Sequence, residues 1–250
     1  MAGARGATAH PGLARLAAAV SLAAVAHAAP ALTVLPGLRA RHFPRLAGIG
    51  DPARVALTFD DGPHPASTPW FVDSLAAAGV RATFFLLGAM LARAPDLGRD
   101  LVAAGHEVAV HGWTHRNLLL RGPAATYRDL ARTRDLIADT TGQAPRFFRP
   151  AYGVLSAPAL LAAHRLGLEP VLWTCWGRDW MRSATPQSIL DTLRRDLAAG
   201  GTVLLHDADC CRAPGSWRST LAALPGLLDE CARRGLRIGP LRDHGWRPGP

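Results

Sequence analysis

The sequence contains no lysine, and all 28 of its basic residues are arginine. It has only two tyrosines and only four cysteines, Cys175, Cys210, Cys211 and Cys231, none of them in a Cys-x-x-Cys spacing. That spacing rules out a thiolate zinc module and a thioredoxin-type redox motif. No run of five or more basic residues occurs, and the arginines are scattered apart from pairs such as Arg194-Arg195 and Arg233-Arg234. A formal charge of +9 therefore does not describe a nucleic-acid-binding strip, and we expect no nucleic-acid partner. The charge supports at most a preference for anionic surfaces such as a cell wall or membrane. With 49% hydrophobic residues, 25 Gly and 20 Pro, the chain is globular and punctuated by loops, not disordered.

Near the N-terminus no apolar stretch runs unbroken for the roughly 20 residues of a membrane span. Arg5 and Arg15 precede an apolar, Ala-rich run from Leu16 to Ala26, and Ala26-His27-Ala28 fits a small-residue cleavage site. That anatomy predicts a secretory signal peptide, so we expect the protein to be secreted or held on the outer face of the membrane. An uncleaved amphipathic or membrane-dipping helix is the alternative, because apolarity resumes over residues 31–38. Residues 1–50 are thus expected to form a leader and lead-in segment, and residues 51–250 a catalytic domain. In an oxidising compartment Cys210 or Cys211 could pair with Cys231; buried free thiols are the alternative.

Beyond the leader, short apolar runs at 55–59, 82–87, 107–110, 146–149, 169–173, 202–205 and 236–238 read as strands. Helical patterns at 68–78, 89–104, 123–141, 157–166, 186–199 and 216–234 separate them, several ending at a Gly. This cadence implies parallel strands joined by crossover helices. Polar residues follow several different strands at their C-terminal ends: Asp60-Asp61, His111, Arg149, Trp176 to Asp179, and His206. Only a closed parallel barrel brings such ends to one mouth.

Two of these groups carry chemistry. In Thr58-Phe59-Asp60-Asp61-Gly62-Pro63 a strand gives way to a turn, and adjacent carboxylates there point in different directions. His111-Gly112-Trp113-Thr114-His115 places two imidazoles four residues apart. Two histidines and one carboxylate make a common hydrolytic metal site. Taken alone, the first motif is ordinary turn chemistry and the second a common spacing; together, at strand ends, they point to a metal.

At these residues the chain resembles the polysaccharide deacetylases, also known as the NodB-homology domain or carbohydrate esterase family four. Thr-Phe-Asp-Asp-Gly-Pro is similar to that family's first motif and His111-x-x-x-His115 to its second. Arg149-Pro150-Ala151-Tyr152-Gly153, Asp179-Trp180 and Leu204-Leu205-His206 follow in family order, and the resemblance covers residues 55–241. It implies an irregular (β/α) barrel with seven or eight parallel strands, and a monomeric enzyme that removes N-acetyl groups from a carbohydrate such as peptidoglycan or chitin-like oligosaccharide.

Carried over by motif, Asp61, His111 and His115 would hold a divalent metal. Zn2+ suits that set, which would also take Co2+ or Ni2+. Asp60 would be the general base, oriented by Arg149, and His206 the general acid, partnered by Asp179. The backbone N–H of Tyr152 would complete an oxyanion hole, with Gly153 permitting a tight turn. Trp180 and Leu204 would wall the acyl pocket, and Asp207 would cap a loop. The chain departs from the family in three places: Gly112 replaces a Ser or Thr that braces the histidine loop, Trp176 replaces an Asp, and Ala151 replaces a Pro. O-acetyl ester hydrolysis, deformylation of a glycan or lipid-linked sugar, and carbohydrate binding without turnover are the competing readings.

Overall fold

Each strand of the sheet runs parallel to those it pairs with, as the helix–glycine–strand alternation implies. The computed structural model describes residues 11–210 and 213–245; Arg5, Cys211 and the outer ends of the two expected domains lie outside the described residues. Helix α1 (Pro11–Ala28), a 3-10 turn (Ala29–Val34) and α2 (Pro36–His42) come first. There follow β1 (Arg54–Asp60), α3 (Thr68–Ala77), β2 (Thr83–Leu86), α4 (Gly88–Leu91), α5 (Pro95–Ala103) and β3 (Glu107–Val110). Next come α6 (Pro123–Thr141), β4 (Phe147–Phe148), α7 (Ala157–Arg165), β5 (Glu169–Pro170) and β6 (Cys175–Trp176). The fold ends with α8 (Pro186–Asp196), β7 (Thr202–His206), α9 (Trp217–Arg233) and β8 (Arg237–Gly239).

The strand order is β5-β4-β3-β2-β1-β7-β6, with β8 added to the first residues of β1. Buried on both faces, the strands sort their side chains by period two. Val55, Leu57 and Phe59 of β1 join the large cluster shared with the helices. Ala56 joins a second, separate cluster with Phe85, Ala109, Phe147, Val171 and Leu241, which fills the inside of the barrel. Thr58 and Asp60 share the parity of Ala56, so the strand delivers an aspartate into the barrel.

Two expected elements are redrawn. The strand expected over 169–173 is shorter: β5 pairs β4, and β6, four residues later, pairs β7. The chain between them changes partner and bridges the two edges of the curled sheet, β5 and β6, which do not pair with each other. Its carbonyls leave the ladder: those of Val171 and Leu172 accept from Arg149, and that of Trp173 accepts from Arg39. The single helix expected over 89–104 is two helices, α4 and α5. Pro95 has no N–H for a continuing helix and disfavours helical backbone at Ala94, which sits at φ −141° and ψ 64°.

Among the described residues Cys175, Cys210 and Cys231 are free thiols, Cys175 and Cys231 buried, so the expected Cys210–Cys231 bridge is absent; the alternative through Cys211 lies outside the described residues. Burial raises Cys175 to about 12 and Cys231 to about 11, as expected of packing thiols, not reactive ones.

His106, buried before β3, accepts from the Ala82 N–H through Nδ1, and its edge meets Phe84. Burial, then the charges of Arg242 and Arg81, lower it from 6.5 to about 4. Between those values the unfolded chain binds a proton that the folded chain refuses, so acid costs stability there. His106→Gln keeps an acceptor for Ala82 without the titration. We expect it to flatten the loss of thermal stability between pH 6.5 and 4 by about 1–2 kcal/mol. Parallel pH–Tm curves for the two proteins would show that His106 is not the responsible group.

Candidate metal and catalytic site

β1 ends in two carboxylates that diverge because Asp60 is still strand while Asp61 adopts φ +81°. Such a conformation costs a non-glycine residue on the order of 1–3 kcal/mol and persists only where its surroundings impose it. Asp61 is fully buried. Its Oδ1 lies 3.4 Å from His111 Nε2 and 3.5 Å from His115 Nε2, and one ligand atom from each residue falls within 4.8 Å of the others.

Behind this group His111 Nδ1 meets the Arg149 carbonyl at 2.8 Å. A carbonyl only accepts, so Nδ1 carries the proton and Nε2 presents its lone pair toward Asp61. That buried Nε2 makes no hydrogen bond. Two imidazoles and an anion converging in a buried place fit a divalent cation by donor type. Burial alone would raise Asp61, but the 3.4 Å approach of His111 and the charges that His206, His111 and His115 carry when protonated hold it well below the usual carboxylate range.

Asp60 Oδ1 accepts from Arg149 Nη1 at 2.8 Å, while its Oδ2 lies 3.7 Å from His111 Nε2. Arg149 is wholly buried over the ring of Phe85 and also donates to Thr58 Oγ1, so β1 is gripped at two inward positions. On the neighbouring strand, β7 ends at His206. Its Nδ1 lies 2.8 Å from Asp179 Oδ1, and its backbone N–H donates to Asp179 Oδ2. Thr220 of α9 donates to that same oxygen, which fixes the carboxylate.

A cavity of about 170 Å³ joins these groups. Asp60, His111, His115, Tyr152, Trp180, Leu204 and His206 line it, with Trp173 and Trp176. Asp61, Arg149 and Asp179 stand behind that lining and touch it, so the structure brings together all ten residues singled out from the sequence. Tyr152, at φ +61°, lays its ring edge against His115 at 4.5 Å. Gly153 follows at φ +69°, where any Cβ would lie 2.7 Å from the Trp173 ring.

Of the tryptophans noted in the sequence, Trp173, Trp176 and Trp180 form a continuous aromatic wall, with ring centroids 5.7 and 4.7 Å apart. Trp70 is exposed and lies apart from the cavity lining. Trp113 is wedged between Gly88 and the guanidinium of Arg132. Asp207 is no exposed loop cap: it is fully buried and accepts from Thr68 at the head of α3. Burial, joined by the nearby Asp61, raises it to about 7.

One residue escaped the sequence reading. Asp129 of α6 accepts from the backbone N–H of Trp113, inside the histidine loop, and from Arg121. It takes over the bracing lost with a hydroxyl at 112, where φ is +92° and a Cβ would crowd Asp129 Oδ2 at 3.1 Å. Its signal was available: Asp129 shares the buried face of α6 with Thr126, Leu130, Thr133 and Ile137.

The family model described as polysaccharide deacetylase matches residues 48–171. The chain is 38% identical over 197 residues to a chitooligosaccharide deacetylase of Bradyrhizobium sp. (strain ANU 289), covering 75% of this chain and 88% of that protein. The chain belongs to the polysaccharide deacetylase family. Another relative is the peptidoglycan-N-acetylglucosamine deacetylase PgdA of Listeria monocytogenes, 32% identical over 74% of this chain and 40% of its own length. Among solved structures, the family 4 carbohydrate esterase from Streptomyces lividans, determined with acetate, superposes with a TM-score of 0.67. It is 35% identical, with 75% of this chain and 92% of that one covered. The departures of this deacetylase-family chain at 112, 151 and 176 thus sit on the family's fold and motif order.

His115→Ala should abolish stoichiometric binding of Zn2+ measured by elemental analysis, since three ligands leave none to spare. Asp129→Ala should weaken binding by about 10–100-fold through the loosened loop, without removing a ligand. Full occupancy in His115→Ala would place the ion elsewhere.

Proposed function

We propose that this chain hydrolyses the N-acetyl group of N-acetylglucosamine units in a glycan, a chitooligosaccharide or a peptidoglycan strand, with a divalent metal held by Asp61, His111 and His115. The observation that carries the reading is a single small cavity lined by both a carboxylate fixed by arginine, Asp60, and an imidazole fixed by carboxylate, His206. The activities named for the relatives support the same chemistry. At about 170 Å³ the cavity is well below the ~300–1,000 Å³ of sites that enclose a whole small molecule, which suits one acyl substituent with its sugar outside.

The metal would supply Lewis acidity to the acyl carbonyl and to an incoming water. Arg149 occupies Asp60 Oδ1, which leaves Oδ2 to take the proton of the attacking water. The Tyr152 backbone N–H donates to the oxyanion that develops on the carbonyl oxygen. His206 protonates the leaving nitrogen through Nε2, while Asp179 accepts at Nδ1 and stabilises the imidazolium. Trp180 and Leu204 enclose the acyl methyl, and the Trp173–Trp176 surface offers a stacking face to the sugar. With Trp176 where an Asp is usual, that face is more aromatic and less polar.

Metal-reconstituted protein should release acetate from N-acetylglucosamine oligomers in preference to acetylated xylan or N-formyl sugars. Formate or xylan acetate as the main product would replace the proposed substrate, and no product from any of them would replace the enzyme by a binding protein. Asp60→Asn should lower kcat by about 10²–10⁴-fold with metal content unchanged. Asp179→Asn removes the negative charge that favours protonated His206, so the alkaline limb of kcat/KM should move to lower pH. An unmoved limb with a reduced kcat would mean that His206 is not the titrating acid.

A further inference from the structure

A groove of about 1100 Å³, far larger than the catalytic cavity, runs between the turn at Ala29–Val34, α2 and α7. Pro30, Leu32, Leu38, Phe43, Leu155 and Leu160 give it apolar walls. Charge is confined to its rim, where Arg45 and Glu169 pair at 2.9 Å. Four wall residues also stand open to solvent: Leu32 is 60% exposed, Phe43 49%, and Leu38 and Leu160 37% each. Apolar surface of this extent on a water-facing domain calls for a partner.

Helix α1 points to what that partner is. Ala14–Val34 has a mean hydropathy of 1.7 and only 6% of it is buried. Leu16, Val20, Leu22 and Val25 are all exposed and distributed around the helix, so no single face packs on the barrel. A helix apolar all round is suited to hydrocarbon, and the apolar stretch runs on from α1 into the turn that walls the groove. The end of α1 is tied down: His27 Nε2 hydrogen-bonds the Leu119 carbonyl at 2.9 Å. The turn and α2 that follow are keyed to the barrel by buried Arg39, which donates to Thr33 and Trp173 carbonyls. The residues read as a cleavage site, Ala26-His27-Ala28, are therefore helical and partly engaged. Ala29 and Pro30, which directly follow the last residue of α1, already line the groove, so the apolar helix leads into its mainly apolar lining. Arg41, exposed on α2, and Arg45 at the rim suit anionic headgroups.

We propose that α1 is retained in the bilayer and that this groove binds the hydrocarbon chain of a membrane lipid, seating the barrel on the membrane surface. The site is distinct from the catalytic cavity and does not depend on which reaction occurs there.

The test uses the full chain in vesicles of phosphatidylethanolamine and phosphatidylglycerol, the latter carrying a diazirine on one acyl chain. After photolysis, mass spectrometry should map adducts to α1 and to peptides containing Leu38, Phe43 and Leu160. Leu160→Arg should lose the groove adducts while keeping those on α1. Leu160→Phe, which fills the groove without adding charge, should reduce them, so a misfolded arginine variant is not mistaken for support. Adducts confined to α1 would show an anchor above an empty groove, and no adducts at all would show a chain that is not at the membrane. Either result overturns the proposal. Acetate release measured on the same samples reports on the catalytic reading separately.

Discussion

The buried guanidinium of Arg149 is the interaction on which the site and the barrel both depend. It donates to Asp60 and Thr58 on β1 and to the Val171 and Leu172 carbonyls, where the chain crosses from one side of the ring to the other. One planar fork thus fixes the candidate base and ties the chain that bridges the open edges of the sheet to β1. Burial lowers the pKa of Arg149 and the adjacent Asp60 opposes that shift, which helps the guanidinium keep its charge. Lysine, with three donors radiating from one point, would not reach both strands in this geometry.

Arg39 extends the same logic outward. It lies beside Arg149, is lowered to about 10 by burial and then by that neighbour, and satisfies the next carbonyl along the seam, that of Trp173. The lead-in segment is therefore structurally coupled to the tryptophan wall of the catalytic cavity. Without these donors the bent chain from β5 to β6 would bury unpaired carbonyls, each costing about 1–3 kcal/mol.

Much of this was legible in the sequence because the strands obey a simple rule. Six of the seven strand runs expected from apolar patterning fall on the observed β1 to β4, β7 and β8, and the paired motifs lie at their C-terminal ends. The seventh, over 169–173, was met only at Glu169–Pro170, because a partner switch is a tertiary event that apolar patterning does not encode: Val171 to Trp173 look like strand, yet arginines distant in sequence take their carbonyls. Asp129 was overlooked for a related reason. Its place on the apolar face of α6 marks it as buried, but its partner, the Trp113 N–H, is a tertiary contact that the helix pattern does not name. Conversely, Gly112 looked like a lost brace when read as a motif position, and the structure shows the bracing transferred to another element.

The charges of the site argue for the metal independently of any family likeness. Asp60 is matched by Arg149, a cation at any relevant pH. Asp179 is matched by His206 and by hydrogen bonds from Thr220 and the His206 backbone. Asp207 is raised to about 7 by burial and so sheds much of its charge near neutrality. Asp61 is different: it is fully buried and held ionised, and the positive charges acting on it, those of His206, His111 and His115, exist only while these imidazoles are protonated. With the Nδ1 proton of His111 committed to the Arg149 carbonyl, neutral imidazole presents Nε2 as a lone pair toward the anion. Above the histidine titration range, two lone pairs and a carboxylate would then face one another in a low-dielectric space. A divalent cation resolves that opposition with the donors already in place.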